Sequence, residues 1–173
     1  MAFGYAAASI AFGSIGSYML ADRYDRLAQT HVAHSTDPMM TARALQASGV
    51  YAVGAGRLAQ AKPILERARE MFDRTGGYRY YTDCEEMLCE IAFYTGDYGT
   101  ALRLASSQPL HSANDPLALA ISAYSRAATK LRTGDDLTGE QSELHQLKLD
   151  ALETSDHVCV FGTLARTYAM PNS

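Results

Sequence analysis

Gly56-Arg57-Leu58-Ala59-Gln60-Ala61 is echoed forty residues on by Gly96-Asp97-Tyr98-Gly99-Thr100-Ala101, a glycine and an alanine five apart in both copies. The same offset upstream lands on Gly16 and Ala21, in Gly16-Ser17-Tyr18-Met19-Leu20-Ala21. Downstream, Gly134 follows Gly96 after thirty-eight residues, with Gly139 in the alanine position. Seven residues ahead of each glycine stands a small residue: Ser9, Gly49, Cys89 and Ala127. A fixed offset of this size is the signature of a repeat architecture. A small residue midway along one helix, a glycine turn and a small residue early in the next helix let two antiparallel backbones approach closely.

Helical patterning fits that period. Helices are expected over 3–17, 20–34, 38–54, 58–75, 80–95, 98–107, 115–133 and 139–153, with a last one at 157–169. Asp37-Pro38 supplies a cap and a proline at the first helical position, Gly76-Gly77 stops a helix, and Asn114-Asp115-Pro116 starts another. Pro63 conflicts with the fourth helix: unless that helix begins near Ala61, the proline removes a hydrogen bond or kinks it. Tyr78, Tyr80 and Tyr81, with Arg79, form an aromatic cluster in the connection between pairs two and three, which they staple to the core. The expected fold class is all-α, one domain over 1–173, with helix pairs at 3–36, 38–76, 79–112 and 115–153.

Composition narrows the function classes. With 47% apolar and 20% charged residues the chain is globular in type. A net charge of −4 with scattered basic residues lacks the stripe that phosphate neutralisation needs, so nucleic acid is not an expected partner. Cys84, Cys89 and Cys159 follow no framework spacing and read as reduced thiols of a cytoplasmic protein. Residues 1–21 carry no charged side chain, yet they are diluted by Gly4, Gly13, Gly16, Ser9, Ser14 and Ser17 and have no basic residue ahead of them. They read as a buried first helix, not as a signal peptide or a membrane span.

Gly96-Asp97-Tyr98 with Ala101, preceded by Leu88 and Cys89, resembles the tetratricopeptide repeat, which has a small residue in its first helix, Gly-Asp-Tyr-like residues at the turn and alanine five after the glycine. Leu65 to Gly77, Leu-Glu-Arg-Ala-Arg-Glu-Met-Phe-Asp-Arg-Thr-Gly-Gly, followed by a pair ending at Gly-Asp-Tyr, is similar to the C-terminal repeat regions of bacterial signalling ATPases, adenylate or guanylate cyclases and LuxR-type regulators. The resemblance spans about residues 3–150; the family's closing proline is missing, and only Tyr5 meets its first-helix aromatic. It implies a right-handed α-solenoid of about four helix pairs plus a C-terminal helix, acting as a protein- or peptide-binding module without catalytic activity or cofactor. The first helices would then line the binding groove. They would present Arg43, Gln46 and Val50 from the second pair, Asp83, Glu86, Glu90 and Tyr94 from the third, and Tyr124 and Arg132 from the fourth. Asp83, Glu86 and Glu90 fall at i, i+3 and i+7, an acidic helix face suited to a basic segment of a partner. Open ends of such a solenoid also allow self-association.

A rival reading rests on Gly54-Ala55-Gly56-Arg57-Leu58-Ala59, a G-x-G-x-x-A loop behind the strand-like Val50-Tyr51-Ala52-Val53. It would make the chain a nucleotide-dependent enzyme, but only where a strand feeds the loop. His31 and His34, three apart, suit a helix C-terminus as well as a metal, and Cys84 and Cys89, five apart, do not share a helical face; no metal site is expected. No G-x-S-x-G, HExxH or P-loop pattern occurs.

Overall fold

The computed structural model describes residues 1–107, 116–140 and 142. They form α1 (Ala2–Ser14), α2 (Tyr18–Val32), α3 (Pro38–Gly54), α4 (Leu58–Thr75), α5 (Tyr78–Tyr94), α6 (Tyr98–Ser106) and α7 (Pro116–Thr133), and a new helix opens at Thr138. No strand occurs among the described residues, so the fold is all-α. The expected helix 157–169, most of 139–153 and Cys159 lie outside them.

All four glycines of the forty-residue series take the left-handed conformation, with φ of 77° at Gly16, 74° at Gly56, 80° at Gly96 and 77° at Gly134. Each ends a helix in the same way. The residue after the glycine donates its N–H to the carbonyl five residues back: Ser17 to Phe12 (2.9 Å), Arg57 to Ala52 (2.8 Å), Asp97 to Ala92 (2.9 Å) and Asp135 to Lys130 (3.1 Å). That six-to-one bond satisfies a carbonyl the helix end would otherwise orphan, and a side chain with a Cβ is strained in this conformation. After Gly16, Gly56 and Gly96 the next helix begins two residues later, which turns the chain back on itself.

The small positions are buried as their spacing requires. Ser9, Ala21, Ala61, Ala101 and Ala127 are fully buried, and Cys89 is 4% exposed. Ser9 satisfies its hydroxyl by donating to the Ala6 carbonyl at 2.7 Å. At Gly49 a Cβ would lie 2.5 Å from Leu65 Cγ, so glycine is what lets α3 and α4 approach. Gly139 departs from the series. Three residues separate Gly134 from the next helix, with Asp136 accepting from the Thr138 amide and hydroxyl, so the inward position moves to Glu140 and Gly139 is exposed.

Pro63 sits inside α4, whose first residue is Leu58. The lost bond is the one that would reach the Ala59 carbonyl, and both Pro63 and Ala59 are exposed, where a carbonyl left by the helix is open to solvent hydrogen bonding. Tyr78, Tyr80 and Tyr81 are not in a connection. Gly77 already closes α4 by donating to Phe72 (2.9 Å) and opens α5 by accepting from Tyr81 (3.0 Å), which makes these tyrosines the first turn of α5.

The chain divides into two compact units, Met1–Ile91 and Ala92–Ser173. In the first, α1 packs on α2 and α3, α3 packs on α4, and α2 touches α3; in the second, α6 packs on α7. The first core is built largely from alanine: Ala6, Ala21, Ala28, Ala42, Ala44, Ala61 and Ala68 are fully buried, and Leu65 and Phe72 are the largest side chains buried completely. Short side chains bring helix axes close, so small changes of volume are felt. Among the described residues no helix is long and apolar enough to cross a membrane.

Candidate functional site

The first helices of three successive pairs share one face in the first unit, and Arg43 of α3 stands at its centre. Its guanidinium lies 4.1 Å from the Phe3 ring of α1 and 5.0 Å from the Tyr80 ring of α5. Its Nε is buried and has no acceptor among the described residues. An arginine cannot shed its proton to escape such a place, so the two ring faces supply the favourable electrostatics. Tyr80 is fixed in turn by stacking on Phe72 of α4, with centroids 5.3 Å apart.

One turn further along α3, Gln46 donates its side-chain amide to Asp83 of α5 at 3.0 Å. Asp83, Glu86 and Glu90 are all half-buried along one stripe of α5. Glu90 makes no hydrogen bond or ion pair among the described residues, and burial pushes its carboxyl above the ordinary carboxylate range. Asp83 and Glu86 each hold further contacts. Of the expected set, the structure pairs Gln46 with Asp83, sets Arg43 about one turn from Gln46 on α3, and lines Asp83, Glu86 and Glu90 along one stripe of α5. Glu85, off that stripe, accepts from Arg69 of α4 (3.4 Å) and from the Tyr81 hydroxyl (3.3 Å), which joins α5 to α4.

Val50 of α3 instead lines a cleft beside Gly54 and Ala55, and the remaining expected residues, Tyr94, Tyr124 and Arg132, belong to the second unit. Tyr94 is 63% exposed and meets Phe93 edge-on at 5.6 Å, while Arg132 of α7 lies 5.9 Å from the same Phe93 ring. Tyr124, also on α7, is half-buried. Phe3 and Tyr80 were not among the expected residues. Their only mark in the sequence is an aromatic near the start of each of two first helices, and nothing in the spacing points either one at Arg43.

The rival sites have other geometry. Val50–Gly54 are the last turn of α3, so no strand feeds Gly54–Ala59 and the setting of a dinucleotide loop is absent there. Gly54 and Ala55 instead line an apolar cleft of about 160 Å³ with Ile10, Gly13, Tyr18 and Tyr51. His31 stacks on Tyr5 at 5.2 Å in a ladder that continues through Tyr24 to Phe12, and His34 Nδ1 pairs with the Thr30 carbonyl at 2.8 Å. Cys84 and Cys89 are buried free thiols, and burial pushes Cys84 up to about 12. Comparison of the chain with protein-family models, with curated proteins and with solved structures gives no match.

Proposed function

We propose that the chain is a tetratricopeptide-like α-solenoid module, cytoplasmic and without catalysis of its own, that binds a protein segment on the shared face of α1, α3 and α5. The carrying observation is the pairing of two unlike features on that face: a cation held between Phe3 and Tyr80, and a half-buried acidic stripe ending in Glu90, which has no partner among the described residues. A carboxylate already stripped of part of its hydration gains more from an incoming ammonium or guanidinium than a fully solvated one does. The favoured occupant is therefore a basic peptide segment, with Gln46 and Asp83 fixing the spacing between α3 and α5.

Fluorescence anisotropy with labelled Lys/Arg-rich and Asp/Glu-rich peptides tests the reading. Basic peptides are expected to bind the parent and to lose at least tenfold in affinity when Glu86→Lys and Glu90→Lys are combined, with helicity unchanged. Equal binding by parent and variant, or binding of acidic peptides alone, would overturn it.

A further inference from the structure

Three arginines of the first unit are half-buried, and only Arg43 lacks an acid. Arg57 and Arg69 lie against Asp22 and Glu85, whereas Arg43 makes no ion pair or hydrogen bond among the described residues. An acid is near at hand: Asp83 stands one turn beyond Tyr80 on α5, but its carboxylate accepts from Gln46 at 3.0 Å. The guanidinium is held back from that acid by the Phe3 and Tyr80 rings, 4.1 and 5.0 Å away, one on each neighbouring helix. Nε is the one nitrogen of Arg43 that is both buried and without an acceptor, so the terminal pair is the part a ligand can reach. On this face α3 is flanked by α1 on one side and α5 on the other, so described helices enclose the site laterally.

Rings over its faces leave a guanidinium its edges, where the N–H donors form a fork that matches the two oxygens of a carboxylate. A phosphate fits the same fork but brings a second negative charge, which the half-buried Asp83, Glu86 and Glu90 oppose more strongly than they oppose the single charge of a carboxylate. Two contacts set the distance from Arg43 to the far end of that stripe. Arg43 meets Tyr80 and Gln46 meets Asp83 at the same separation of 37 residues, so α3 and α5 run parallel and in step here. Glu90 follows Tyr80 by ten residues, about 15 Å along α5 at a rise of about 1.5 Å per residue. An extended segment covers that distance in about four to five residues.

We propose that Arg43 receives the side-chain carboxylate of an internal Asp or Glu of the bound segment, whose basic residue, about four to five positions away, reaches Glu86 and Glu90. The inference rests on the reading of this face as a peptide site and sharpens the occupant from a basic run to an acid and a base at a set spacing. The acid supplies Arg43 with the acceptor that Asp83 does not, and the base offsets the carboxylates at the other end of the stripe.

Fluorescence anisotropy of the full chain tests this with end-blocked peptides that carry one Glu and one Arg about five residues apart on a Gly/Ser background. Both orders are made, each with a Glu→Gln and an Arg→Gln counterpart. In the better-bound order the parent chain is expected to lose roughly tenfold in affinity when the peptide's Glu becomes Gln, the scale of a hydrogen-bonded charge pair. This change is made in the peptide, so it is read on an unaltered fold. Arg43→Gln is expected to erase the difference between the Glu and Gln peptides while the peptide's own Arg→Gln change still weakens binding. Arg43→Lys, which keeps the charge but not the fork, is expected to restore the difference only in part. Equal affinity of the parent for the Glu and Gln peptides would overturn the carboxylate assignment, and a loss on Arg→Gln alone would leave the basic-segment reading standing. A Glu preference that survives Arg43→Gln would also overturn it, by placing the acid elsewhere. Failure of the whole set to bind would overturn it too, and the Lys/Arg-rich peptides then decide whether the peptide-site reading falls with it.

Discussion

Asp22 of α2 accepts from both terminal nitrogens of Arg57, at 2.5 and 3.1 Å, and from the Tyr51 hydroxyl at 2.6 Å. Arg57 follows the left-handed Gly56, so one carboxylate ties the second helix of the first pair to the turn of the second pair. Forty residues either way the Arg57 position holds Ser17 and Asp97, so the clip is particular to this junction. Hydrogen bonding from Arg57, then from Tyr51, holds the Asp22 carboxyl below its ordinary range.

Arg57→Met is expected to cost about 1 kcal/mol, since both side chains keep a third or so of their surface in water and the pair is screened. Asp22 has a depressed pKa in the folded state, so its contribution is present above the unfolded carboxylate value and is lost as pH falls through the folded one. Urea unfolding of parent and variant should therefore differ at pH 7 and converge at low pH. A gap that persists in acid would assign the loss to packing of the arginine stem.

Gly49→Ala places a methyl group 2.5 Å from Leu65 Cγ in a core of alanines that has little room to yield. The expected loss is roughly 1–3 kcal/mol by thermal unfolding. Combined with Leu65→Ala, the new methyl fills part of the space vacated, so the double variant should lose less than the sum of the two single losses. Simple additivity would show that the two residues do not press on each other.

The same contact explains what could be read from the sequence. A position that admits only a left-handed residue, or only a residue without a Cβ, restricts its occupant so tightly that Gly16, Gly56, Gly96 and Gly49 mark the turns and a close approach directly. Arg43 on a first helix was legible for the same reason, through its distance from a turn. Its placement between Phe3 and Tyr80 was not, because a cation over two rings depends on how three helices lie side by side and many side-chain pairs satisfy that arrangement. The Gly76-Gly77 pair misled for a local reason: Gly77 serves both helices at once, so the apparent connection carries no extra residue and Tyr78 to Tyr81 are already helical. After Gly134 the three-residue approach to Thr138 moved the inward position by one, a shift that the thirty-eight-residue spacing conceals.

Pro63→Ala restores an amide donor within α4 at an exposed position, four residues after the exposed Ala59. Alanine is about 3 kcal/mol better than proline in a helix interior, offset in part by the freer unfolded chain. The net expectation is a gain on the order of 1 kcal/mol, seen as a higher melting temperature. A lower melting temperature would mean that the proline fixes a bend that α4 needs.

Glu90 carries the sharpest link between stability and binding. Burial raises its pKa in the folded state, so between the unfolded and folded values the native chain holds the proton more tightly than the unfolded chain, and stability falls as pH rises through that window. Above it the fold bears the cost of a desolvated carboxylate with no partner among the described residues. Glu90→Gln is thus expected to raise the melting temperature at pH 7 and to leave it unchanged below the unfolded carboxylate range. A basic peptide seated on the α5 stripe should relieve the same cost, so its stabilising effect on the parent should exceed that on Glu90→Gln. If the variant melts no higher at pH 7 and gains as much from the peptide as the parent does, the buried charge is not what the partner recognises.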